Sequence, residues 1–331
     1  MSAALEEVIN KRTHGPLAYL LTRQTFWVFL ATVAACILVA FGSDKFLTGQ
    51  NLFNVTRNFA FVAIAALGMT AVIITGGIDL SVGSVMGFSA MMTGMALGAG
   101  YSAPVSVAAG LSVALLVGLF NGVMVAYVKM PSFVVTLGVL SIARSQGQVI
   151  SDNKGVYDFG TYGETVLWLG GKSTLGIPNP VLVLIALTLI TGFLLRWTRW
   201  GAHVFAVGGN ERAARLTGVS VNQVKLSVYV FSALMAGIAG ILMAGWLGSV
   251  TQNLGEGKEL TVIAATVIGG TNLMGGSGTA LGGVIGAALI EVIRNSLTLL
   301  GISTFWQGTF IGSCIVIAVL FDCLKRIRET D

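Results

Sequence analysis

Between residues 26 and 323 the chain is a succession of apolar runs, each broken by a short polar or glycine-rich stretch. We read ten such runs: residues 26–42, 58–76, 82–98, 104–128, 132–150, 180–198, 226–246, 259–274, 279–300 and 306–323. A membrane-crossing helix needs roughly 20 apolar residues, so ten would use about 200 positions and leave about 130 for loops and ends. Charged side chains are 10% of the 331 residues, against roughly 25% in an ordinary soluble domain. That is too few to coat a soluble core of this size. A soluble enzyme is excluded, and so is a nucleic-acid binder, although 19 basic residues outnumber 14 acidic ones. The expected fold is all-α: a polytopic transmembrane bundle of about ten spans. It forms one domain, 26–323, with a cytoplasmic segment at 1–25 and a cytoplasmic tail at 324–331.

Loops on the cytoplasmic side carry excess Lys and Arg. With the N-terminus inside, the inner segments hold 12 basic residues, among them Lys11, Arg12, Arg23, Lys129, Arg196, Arg199, Arg212, Arg215 and Lys225. The outer segments hold five: Lys45, Arg57, Lys154, Lys172 and Lys258. Arg144 and Arg294 fall within spans. An even number of spans returns the basic tail, Lys325 to Arg328, to the inside, so both termini are expected in the cytoplasm. The first run follows basic residues as a signal peptide would, but no clean small-residue cleavage site closes it, so we read it as a retained helix. The long loop 151–179 is then outside and the long loop 199–225 inside. The outer loop presents Asp152, Asp158 and Glu164; it is either a solvated connector or a docking surface. Its centre, Val166-Leu167-Trp168-Leu169, suits a membrane interface.

Little in the chain speaks for catalysis. Cys36, Cys314 and Cys323 are widely spaced, lie in or beside apolar runs and form no CxxC pair, which points to packing rather than a disulfide or a metal site. The two histidines, His14 and His203, lie in cytoplasmic segments. Gly170-Gly171-Lys172-Ser173-Thr174 resembles the end of a phosphate loop, but Val166 stands where that motif needs its first Gly. Any ATP-driven work must therefore come from a partner chain. No catalytic residue, no metal site and no cofactor is expected here.

One string recurs. Gly76-Gly77-Ile78-Asp79-Leu80-Ser81-Val82-Gly83-Ser84 and Gly269-Gly270-Thr271-Asn272-Leu273-Met274-Gly275-Gly276-Ser277 both read GGx[DN]LxxGS. Repeated, glycine-interrupted apolar segments point to transporter halves; coincidence in a glycine-rich chain is the other reading. Both copies would face the cytoplasm. A helix ending at the first Gly pair would let Asp79 and Ser81 cap the next one, or form a broken-helix element on a substrate path. Glu291 and Arg294, three apart, can neutralise each other on one helical turn, with Asn295 beside them. Arg144 lies near the outer end of its span, close to Gln146 and Gln148. Charges inside a membrane mark either function or helix-to-helix contact. Gly94/Gly98, Gly278/Gly282 and Gly282/Gly286 carry the spacing of closely packed helices. In the inner loop, Asn210 can cap a short basic helix that Gly218 ends.

These residues resemble the permease subunits of ABC importers of the ribose, xylose and arabinose class. The likeness is carried by Gly68-Met69-Thr70 and residues 74–84, Gly118-Leu119-Phe120-Asn121-Gly122, residues 131–138, 208–218, 255–260, 268–271 and 275–282. It implies a permease that works as a homodimer or heterodimer in a bacterial inner membrane. ATP and Mg would sit on a partner cytoplasmic ATPase, and a periplasmic sugar-binding protein would deliver the cargo. Asn210, Glu211, Arg212, Ala213, Ala214, Arg215 and Gly218 would form the coupling helix. Asp79, Ser81, Asn121, Arg144, Asn272, Glu291 and Arg294 are candidates for the translocation path. Asp152, Asp158, Glu164, Glu256 and Glu259 are candidates for binding-protein docking. Arg212 departs from the family pattern, which has Glu there; Glu211 is one residue earlier. The stretch from Thr271 to Gly278 departs as well, since many relatives place Ser before the Gly pair and Arg after it. An uncharged sugar or polyol suits the weakly charged spans. An ion-coupled carrier using Asp79, Arg144, Glu291 and Arg294 is the alternative.

Overall fold

The computed structural model describes residues 24–303, 305–309, 312–313 and 316. Lys11, Arg12, Arg23, His14, Cys314, Cys323, the tail 324–331 and most of the last expected span lie outside the described residues. Within them the chain is mostly helical: α1 Gln24–Gly42, α2 Gly49–Ile74, α3 Val82–Gly98, α4 Ala103–Ala126, α5 Ser132–Ile150, α6 Glu164–Gly171, α7 Asn179–Trp197, α8 Arg199–Gly209, α9 Glu211–Leu216, α10 Val221–Leu247, α11 Lys258–Ile268 and α12 Ala280–Leu299. A two-residue hairpin, β1 Ser173–Thr174 with β2 Ile177–Pro178, joins α6 to α7.

Seven helices (α1, α2, α4, α5, α7, α10 and α12) are long and apolar enough to cross a membrane. Two of the ten expected spans are shorter. At 1.5 Å per residue, the 17 residues of α3 reach about 25 Å and the 11 residues of α11 about 16 Å, less than the roughly 30 Å of a hydrocarbon core. The run 259–274 continues past Ile268 as Gly269-Gly270-Thr271-Asn272, where Gly270 turns to φ +100° and the helix is over.

The core is built on α2. Residues 60–74 are all buried, because the helix is apolar on every side and packs against α7, α10, α11 and α12. Small residues permit the close crossings. A methyl group on Gly68 would stand 2.7 Å from Ser232 Cα of α10. On α12, one on Gly286 would overlap the Ala265 carbonyl of α11. By contrast, α1 is apolar and exposed, with only Val28 buried.

The short helices start within the bundle. The 27 residues of α10 measure about 40 Å. Asp79 meets α10 at Ser232, eleven residues from its start, a height of about 16 Å. Residues 75–81 therefore climb back into the bundle before α3 begins. Residues 248–257 do the same from the other end. Methyl groups on Gly87 and Gly255 would overlap the carbonyls of Leu254 and Gly83, so the first turns of α3 and α11 touch. From there α3 runs away from α9, towards Asp158 and Val250, while α11 runs towards the α9 end.

Candidate functional site

At one end of the bundle α9 stands between α8 and α10. Thr198 caps α8 by accepting from Gly201 N–H at 3.3 Å. Asn210 caps α9, its Oδ1 accepting from Ala213 N–H at 2.9 Å. Gly218, at φ +86°, ends the helix. Both expected signals are thus used. Ala214 is buried, whereas Arg212, Ala213, Arg215 and Leu216 face outward. Glu211 accepts from Lys225 Nζ at 2.7 Å and from Arg215 Nη2 at 3.2 Å. The Lys225 hydrogen bond, foremost, holds the Glu211 carboxyl below the usual carboxylate range. Behind α9 lies a cavity of about 410 Å³ whose lining includes Gly76, Gly77, Lys129, Arg215, Asn222, Lys225 and Tyr229.

Above that cavity is a buried polar network. Asp79 Oδ1 accepts from Ser81 N–H at 3.0 Å and from Ser81 Oγ at 2.6 Å, and its Oδ2 accepts from Ser232 Oγ at 3.0 Å. Asn121 Nδ2 of α4 donates to Ser81 Oγ at 2.9 Å. Asp79, Ser81, Asn121 and Ser232 are all fully buried. The capping expected here takes a different form: Ser81 sits at the N-cap of α3 without a side-chain bond to the helix. Its hydroxyl is spent on Asp79, and Asp79 folds its own turn through Ser81 N–H. Three path candidates therefore meet, joined by Ser232. That residue is legible in the sequence only as a hydroxyl within an otherwise apolar stretch.

The remaining path candidates are scattered. Asn272 is exposed; its Oδ1 accepts from Met274 N–H at 2.8 Å. Glu291 is buried and lies 3.7 Å from Arg294, as the three-residue spacing suggests. Asn295 exchanges two hydrogen bonds with Asn51, at 2.8 and 3.1 Å, locking α12 to α2. Arg144 finds its counter-ion far along the chain, 3.4 Å away in Glu256.

The docking candidates gather at the end opposite α9. Val156 and Val250 pair there, and the Gln252 amide donates to the Asn153 carbonyl, so the two outer loops form one surface. Asp152 is exposed and pairs with Lys154 at 2.7 Å, Asp158 Oδ1 caps Gly160 N–H at 2.8 Å, and Glu164 opens α6. Glu259 differs from these. Its Oε2 is buried against Gly83, at the touching first turns of α3 and α11. Gly170 and Gly171 end α6, and Ser173-Thr174 is a strand. A phosphate loop opens a helix, so the geometry carries no nucleotide site here.

A family model described as the permease component of branched-chain amino acid transport systems matches residues 51–319. The ribose import permease protein RbsC of Escherichia coli K12 is 36% identical over 321 residues, covering 97% of this chain and 99% of that protein. RbsC of Bacillus subtilis is 36% identical over 298 residues, 90% of this chain and 92% of the relative. The autoinducer 2 import system permease LsrC of Escherichia coli DH10B is 34% identical, with 92% and 89% covered. No solved structure matches. A bundle of long apolar helices, a capped helix held outside it at one end and identity along nearly the whole length agree: the chain belongs to this family of transport-system permeases.

Proposed function

We propose that this protein is the membrane permease of an ATP-driven importer for an uncharged sugar or polyol in a bacterial inner membrane. The observation that carries the reading is α9. It is a capped, outward-facing helix fixed between two spans, in a chain whose relatives are import permeases. The α9 end faces the cytoplasm together with both termini, and Arg212, Ala213 and Leu216 offer a surface to a partner ATPase that binds ATP and Mg. The opposite end, with Asp152, Asp158, Glu164 and Glu256, receives a periplasmic binding protein. Glu259 supports the meeting of α3 and α11 instead.

The path runs where α5 faces a second copy of the permease. Ser141 and Ser145 are exposed and Arg144 and Gln148 half-buried on one side of α5. Spacings of four and three residues place them on one helical face. Arg144 is answered by Glu256, but hydrocarbon satisfies neither the serines nor Gln148, which leaves water, a sugar hydroxyl or another subunit to cover them. Asp79, Ser81 and Asn121 brace the inner side of the same region through α3 and α4.

Co-purification with the ATPase and binding protein, followed by uptake of labelled ribose and related sugars into vesicles, tests the proposal. Uptake should require hydrolysable ATP and the binding protein. Uptake that persists with a non-hydrolysable analogue, or that follows an ion gradient, would sink it.

A further inference from the structure

The three glycine pairs at 76–77, 208–209 and 275–276 are far apart in sequence and together in space. Gly276 N–H donates to the Ile74 carbonyl at 2.9 Å. That carbonyl belongs to the last turn of α2, where the helix itself offers no donor. Gly208 lies against the same atom: a methyl group there would overlap the Ile74 oxygen and stand 2.7 Å from Gly276 N. Gly275, at φ +88°, completes the contact, since a methyl group on it would lie 2.9 Å from the Gly208 oxygen and 3.1 Å from Gly76 N. The contact is backbone on backbone, so no side chain fits inside it.

The geometry points to Gly208 and Gly276 as positioning residues for transport, which through the Ile74 carbonyl clamp the base of α9 to both GGx[DN]LxxGS turns. The inference rests on α9 being the ATPase-coupling helix. The connection to α9 is short. Gly209 follows Gly208, then the extended Asn210 caps α9 and bonds to both sides of the bend: Asn210 N–H to the Ala206 carbonyl at 3.1 Å and Ala214 N–H to the Asn210 carbonyl at 2.9 Å. On the far side, Ile74 leads in five residues to Asp79, and Gly276 leads in four to the start of α12. A tilt of α9 therefore moves the start of α12 and the climbing segment before α3 as one body. Sliding α9 alone would drive Gly208 into the Ile74 carbonyl and Gly276 N, or open a gap beside them.

Gly209 supplies the internal control, because a methyl group there meets nothing within 4 Å. In vesicles holding the whole transporter, Gly209→Ala should keep wild-type uptake. Gly208→Ala should retain the ATPase on purification yet lose about tenfold in uptake per ATP hydrolysed, a size within the range by which packing changes between two sites alter their coupling. A second measurement leaves the glycines intact. With the three native cysteines changed to alanine, spin labels go on Leu216, Met274 and Tyr162, which are 84%, 70% and 52% exposed. On ATP binding, the Leu216–Met274 distance should hold while both distances to Tyr162 change. A Leu216–Met274 change of about 5 Å, one helical turn, overturns the clamp, as does a Gly208→Ala permease that couples normally. A Gly208→Ala chain that does not fold leaves the distances to decide. If wild-type uptake itself ignores ATP, the coupling reading has failed rather than the clamp.

Discussion

Asp79 and Asn272 hold the same place in the two GGx[DN]LxxGS copies and fold the same turn. Each accepts a hydrogen bond from the backbone two residues on, Ser81 N–H at 3.0 Å and Met274 N–H at 2.8 Å. There the likeness stops. Asp79 is fully buried and takes two further bonds, from Ser81 Oγ and Ser232 Oγ; Asn272 is exposed. A short polar side chain next to glycine encodes the turn in both. What surrounds the turn decides the rest: a carboxyl group in the interior depends on protein donors, while an amide at the surface has water. The copies also touch each other, Gly275 lying against Gly76.

Asp79→Leu should break the comparison most. It strands Ser81 N–H, Ser81 Oγ and Ser232 Oγ as buried donors, each costing about 1–3 kcal/mol when unanswered. The expected result is a permease that loses its cooperative thermal transition in detergent and takes up no solute. A transition within a few degrees of wild type would mean that the network contributes little.

Ser232→Ala leaves the buried Asp79 Oδ2 without its donor and keeps the helix crossing at Gly68 intact. About 1–3 kcal/mol should be lost, seen as a clearly lowered melting temperature with uptake still measurable. Asn272→Ala comes next: it deletes one bond that water replaces, for about 0.5–1 kcal/mol. Should Asn272→Ala prove as damaging as Ser232→Ala, burial would not be the variable that separates the two copies.

Much of this was open to sequence reading. The long spans follow from uninterrupted apolar runs, and α9 from two residues with strong local preferences, Asn210 as N-cap and Gly218 in a left-handed turn. The Glu291–Arg294 pair follows from helical spacing. The 17-residue reach of α3 follows from the bounds 82–98 of its apolar run, whereas the run 259–274 reads as one span and hides the end of its helix at Ile268, before the turn at Gly269-Gly270-Thr271. The Arg144–Glu256 and Asp79–Ser232 contacts were hidden for another reason: each joins elements more than a hundred residues apart, and nothing local marks the partner. Glu259, in the first turn of a helix near an outer loop, reads as a surface acid. The glycine at position 83 lets its carboxylate turn inward.

The smallest effect belongs to the half-exposed charged cluster at α9. Glu211 is held below the usual carboxylate range chiefly by Lys225, with Arg215 assisting. A carboxyl whose folded value is depressed stabilises the fold above its unfolded value, near 4.3 for Glu, and loses that contribution as pH falls through the lower, folded value. At neutral pH the cluster is therefore fully formed, and its release is confined to acid below the ordinary carboxylate range. Its members are about half exposed, apart from Lys225, which is 21% exposed, so salt should weaken it too. A spin label at Leu216 should report an immobile α9 at pH 7 and a looser one below about pH 4. In Glu211→Gln the label should be somewhat looser at every pH, with the acid step gone. An acid step that survives in Glu211→Gln would assign the change to another group, and the ion pairs at α9 would then do no more than decorate a helix already fixed by Asn210 and Ala214.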